Sequence, residues 1–149
     1  MEKIEELIAA LEKCKGPSLQ LDGMIWCAAN DLEFVMWDGA GCVYRDPSAP
    51  KWDGGIKHAQ ASIVRPYTAS IDAAVTLVNR ILPDWRIENL CEWDAEILRD
   101  QGPWMCDLVQ RRHEFFDRQS AKCSHAPTAA LALLIATLRA KLAQEKTNA

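Results

Sequence analysis

No long hydrophobic run interrupts this sequence. The longest, residues 126–138, falls short of the ~20 apolar residues that a spanning helix needs and carries Thr128 and Thr137, so membrane insertion is not expected. An excess of basic charge is also missing. Lys and Arg number 17 against 21 Asp and Glu, a net charge of -4. That balance excludes the broad basic face of a general nucleic-acid binder and leaves a local basic site open. The opening residues Glu2, Glu5 and Glu6 stand where a secretion leader would be basic and then apolar, which predicts a cytoplasmic protein. Six cysteines are present, Cys14, Cys27, Cys42, Cys91, Cys106 and Cys123, but no two form a Cys-x-x-Cys pair. A reducing compartment then predicts free, mostly buried thiols. Cys123 and His125 have one residue between them, which is not a zinc-finger half-site, and no metal is expected.

Catalytic signatures are absent as well. His58, His113 and His125 are scattered, and His113-Glu114 lacks a second histidine four residues on. There is no Gly-x-Ser-x-Gly, and Gly54-Gly55 lacks the Lys-Ser/Thr and helix of a phosphate loop. No catalytic residue and no cofactor is assigned. The one carboxylate group that could do chemistry is Glu92, Asp94 and Glu96, alternating along one strand face, where the plain reading is a solvated face.

What is present reads as one domain over residues 1–149. Ile4, Leu7, Ile8 and Leu11 recur at helical spacing and Gly16-Pro17 ends that helix. Ser18 caps a second helix with Leu21, Met24, Ile25 and Ala28 inward, so residues 2–29 predict a helical hairpin. Residues 30–65 form a loop-rich strand region, with strand composition at Leu32 to Trp37 and at Cys42 to Arg45. Ser70, or Thr68 before it, caps a helix over residues 68–82 whose stripe is Ile71, Ala74, Val75 and Val78. Residues 85–109 predict a meander: a strand from Trp85 to Cys91, a second over residues 95–98 that would also suit a helix, and a third over residues 104–109. Residues 110–125 read as a polar loop. Pro127 opens a last helix, residues 126–144, with Leu131, Leu134, Ile135, Leu138 and Leu142 in one stripe; its many alanines predict a central place in the core.

The segment Pro66-Tyr67-Thr68-Ala69-Ser70-Ile71-Asp72-Ala73-Ala74-Val75, Trp85 opening a strand, and Ala126-Pro127-Thr128-Ala129-Ala130-Leu131 resemble the phage ABA-sandwich family, small proteins of phages and prophages. Leu7-Ile8-Ala9-Ala10-Leu11 with Gly16-Pro17 is similar to the same group. Relatives often place Thr-Pro before the last helix where this chain has Pro127-Thr128. The resemblance implies a scaffold of helix, sheet and helix layers. The matching positions are caps, stripes and a core tryptophan, so no site residue comes with it.

Six of the eleven aromatics are tryptophan. Trp26 and Trp85 lie in regular elements and predict core. Trp37 and Trp52 flank the loop-rich region beside Tyr44, Arg45, Lys51 and Lys57, which is the material of a nucleobase-and-phosphate site, of an interface hot spot, or of a covered sheet edge. Arg111 and Arg112 form a second cationic candidate or a solvated loop. These features together predict an α+β chain, an antiparallel sheet of about three to five strands with helices on both faces. The resemblance to the phage ABA-sandwich family implies non-enzymatic binding by a phage or prophage accessory protein in the host cytoplasm. It would antagonise host defence by sequestering a nucleotide-like anion or blocking a host protein. A small metal-dependent hydrolase or nuclease, and a phage structural or assembly role, stay open, as does a homodimer.

Overall fold

Two serine caps start the helices that organise this chain. In the computed structural model, which describes residues 2–93, 101–112 and 115–148, helix α1 spans Glu2–Lys13 and α2 spans Leu19–Ala29. Ser18 caps α2 by accepting the Leu21 N–H at 3.3 Å, and Ser70 caps α3, Ile71–Ile81, by accepting the Ala73 N–H at 3.2 Å. Each satisfies a backbone donor that the first helical turn leaves unpaired. Thr68 caps nothing in α3. Its hydroxyl instead accepts the Ser18 N–H at 2.8 Å, and its own N–H donates to the buried Asp22 carboxylate at 2.7 Å. These bonds fasten the entrance of α3 to the start of α2.

The chain is α+β, with its strands in two antiparallel sheets of three. The first sheet is β1 (Glu33–Trp37), β2 (Gly41–Arg45) and β3 (Ile56–Gln60), in that order, with a short 3-10 helix η1 (Lys51–Asp53) between β2 and β3. Gly41 is required there, because a Cβ would meet the Ala59 carbonyl oxygen of the neighbouring strand. The second sheet is β4 (Trp85–Glu92), β5 (Trp104–Arg112) and β6 (Phe115–Ala126). Each sheet is a local meander of three consecutive strands, and α3 lies between the two along the chain. β4 pairs directly with β5, from Trp85 opposite Gln110 to Glu92 opposite Trp104. The expected middle strand at residues 95–98 lies outside the described residues. Residues 110–112 and 115–125 correct the expected loop: they end β5 and make the edge strand β6.

Helix α4, Ala129–Asn148, lies between the second sheet and helices α1 and α3. Residues 129–138 and Ala140 are all buried. Ala129, Ala130, Ala132, Ala136 and Ala140 make this helix narrow enough to be packed from all sides. The layers therefore run sheet, α4, then α1 and α3, with the helices stacked on one another beyond one face of the sheet. The α3 stripe differs by position from the sequence reading. Ile71 is exposed at the first turn, and Ala73 and Leu77 are buried with Ala74 and Val78. Helix α2 is buried on two sides. Leu21 and Ile25 join the main core, while Gly23 and Cys27 face the first sheet, where Cys42, Ala59 and Val64 complete a second, smaller core.

Candidate functional site

Strand register decides what each candidate residue does. On β1–β3, paired residues point to the same side. Cys42 pairs with Trp37 and Ala59, and Tyr44 with Phe34 and Lys57, so this row faces α2. Trp37 and Tyr44 are therefore part of the small core. Tyr44 meets Trp26 edge to face, ring centroids 5.2 Å apart, and Trp37 buries its Nε1 without a hydrogen-bond partner. Lys57 projects from the end of the same row and is held between Asp46 (3.7 Å) and Asp53 (3.8 Å).

The opposite face carries Arg45, Val43 and, on the neighbouring strands, Glu33, Met36, Ile56 and His58. Val35 is the extra residue of a bulge between Phe34 and Met36. Arg45 reaches Glu33 at 4.0 Å and His58 reaches Asp38 at 3.0 Å. Asp38 also accepts the N–H groups of Ala40 and Gly41, and these bonds, Ala40 first and His58 next, hold its carboxyl below the usual carboxylate range. Among these polar and charged groups, Val35, Met36 and Ile56 are 47%, 50% and 52% exposed. Helix α2 packs on β1 and β2 from the other side. On η1, Trp52 is 86% exposed and Lys51 is exposed beside it.

The expected cationic constellation is thus divided three ways. Trp37 and Tyr44 pack inward, Arg45 and Lys57 are paired with carboxylates, and Lys51 and Trp52 face solvent. Arg111 and Arg112 stand on β5 of the other sheet, where the Arg111 N–H donates to the Asp84 carbonyl at 2.7 Å. The sequence reading passed over Val35, Met36 and Ile56. For Val35 and Met36 a signal is present: the run Phe34-Val35-Met36-Trp37 does not alternate, so an apolar residue must fall on each face.

A cleft of about 560 Å³ opens between α1, α2 and β1, and a more polar one of about 530 Å³ is lined by Lys15, His125 and Arg139. In the latter, Arg139 is already engaged by Glu12 at 2.7 Å and the Cys123 carbonyl at 2.6 Å. Cys123 lies 4.0 Å from the His125 Nε2. Burial, and then a hydrogen bond to Asp107, push its thiol up to about 11, which disfavours the thiolate at neutral pH. Burial likewise pushes Cys106 up to about 12. Of the carboxylate trio, Glu92 is exposed at the end of β4, and Asp94 and Glu96 lie outside the described residues. Among the described residues, no three His, Cys, Asp or Glu side chains come together as a metal-binding group. No helix among them is long and apolar enough to cross a membrane. No family model, no curated protein and no solved structure matches this chain.

Proposed function

We propose that the chain acts by binding, and that its partner is another protein seated on the outer face of the β1–β3 sheet. The observation that carries this reading is the half-exposed apolar group Val35, Met36 and Ile56 on a face that α2 does not cover. An exposed apolar centre inside a polar rim is the anatomy of a protein interface. The rim carries charges of both signs: Glu33 lies between Lys3 at 2.9 Å and Arg45 at 4.0 Å, and Asp38 stands 3.0 Å from His58. A nucleic acid or a nucleotide would need a cluster of cations there, whereas Lys57 stands in the row that faces α2, between Asp46 and Asp53. This favours the blocking of a protein over the sequestering of a nucleotide. The phage-family resemblance agrees with that reading and would place the partner in the infected host.

Native mass spectrometry of the protein taken directly from its host cells tests it. The expected result is a complex heavier than the free chain by the mass of one protein partner, lost when Met36→Glu and Ile56→Glu are combined. Two copies of the chain alone, a retained small molecule, or a complex indifferent to the double substitution would overturn the reading.

A further inference from the structure

A second site lies in the larger cleft, between α1, α2 and β1, which meets the outer sheet face at Glu33. Its floor is apolar, made by Ile4, Leu7, Met24, Ala28, Leu32 and Phe34, and its volume of about 560 Å³ suits a small molecule. Its rim is acidic. Lys3 and Lys141 stand against Glu6, Asp31, Glu33 and Glu145. The two lysines are already used, Lys3 by Glu33 at 2.9 Å and Lys141 by Glu145 at 3.5 Å. Among the described residues, Glu6 and Asp31 have no ion-pair partner. Asp31 is also the one non-glycine residue among them with a left-handed backbone, φ 56°. That position follows the end of α2, where glycine or asparagine is the usual occupant. Here it carries a carboxylate to the mouth of the cleft.

We propose that this cleft binds an amphipathic cation: a small molecule with an apolar chain or ring and one or two ammonium groups. The apolar body would cover the floor formed by α1, α2 and β1, and the ammonium groups would neutralise Glu6 and Asp31. A neutral ligand of the same shape would cover the floor but leave both carboxylates partly desolvated and unpaired. An anion would add repulsion.

Three probes of equal length separate these cases: diaminooctane, octanediol and suberate, titrated into the full chain by calorimetry while the Met24 methyl resonance is followed. The expected result is saturable binding of the diamine with a shift at Met24, binding of the diol weaker by about tenfold or more, and none of suberate. Combining Glu6→Gln with Asp31→Asn should reduce the diamine to the level of the diol. Asparagine keeps the left-handed backbone accessible, so the fold should be retained. Equal binding of diamine and diol, saturable binding of suberate, absence of diamine binding, diamine binding without a Met24 shift, or a double variant that binds like the parent would overturn the proposal.

Discussion

Asp22 is 2% exposed, and its carboxylate accepts the Thr68 N–H at 2.7 Å across the seam between α2 and the entrance of α3. Burial raises this carboxyl above its ordinary range, and the Thr68 bonds only partly oppose that. A carboxyl raised on folding stabilises the fold when protonated. Its contribution is fully present below the unfolded pKa of about 3.9 and is lost as pH rises through the folded value. Asp22→Asn keeps an acceptor for the Thr68 N–H without the charge. Its stability should therefore rise relative to the parent as pH increases from about 4 to about 7, measured by urea unfolding across that range. A parent that instead gains on the variant as pH rises would contradict the assignment. Asp22→Ala leaves the buried N–H unpaired and should cost about 1–3 kcal/mol. Cys123 gives a second test at this scale. Burial raises its thiol most and Asp107 adds to that, so Asp107→Asn, which removes only the second cause, should speed alkylation of Cys123 several-fold at mildly alkaline pH, read by peptide mass spectrometry. Trp37 and Tyr44 show why residue type alone misplaced the site. Aromatics beside cations suit both a ligand and a core, and only the register with Cys42, Phe34 and Lys57 turns these two inward.

The helices were legible because capping and periodicity are local. Ser18, Ser70 and the Ile4/Leu7/Ile8/Leu11 stripe can be read without knowing what they pack against. Helix α2 was half legible. A single stripe accounts for Leu21 and Ile25, but not for Gly23 and Cys27, which face a second core made by strands later in the chain. β6 was missed because its described inward positions are Ser124 and Ala126, which give no apolar alternation. β3 has only Ala59 buried and was absorbed into a loop-rich region for the same reason. Helix α4 is the element on which the packing depends most. Leu134 is fully buried in it, and Leu134→Ala should destabilise by about 2–5 kcal/mol in chemical denaturation. Ser70→Ala, which removes only a cap, should cost about 1 kcal/mol. Equal losses would mean that α4 is not the centre of the core.

Across the whole molecule, the α+β class followed from the order of helix and strand signals, whereas the division into two sheets did not. Partition of strands depends on which meander α2 covers, and that is a tertiary fact. The division matters for function because it leaves the β1–β3 sheet with α2 on one side and Val35, Met36 and Ile56 on the other. Site-specific photo-crosslinking in host cells tests this arrangement most directly. A photoreactive residue would replace Val35, Met36 or Ile56 in turn. Leu19 and Ile71, apolar residues exposed to 59% and 43% on the helices, would serve as controls. The expected result is one discrete protein adduct from the three sheet positions and none from the two helical ones. Adducts of equal yield from both sets, or none from the sheet, would contradict it.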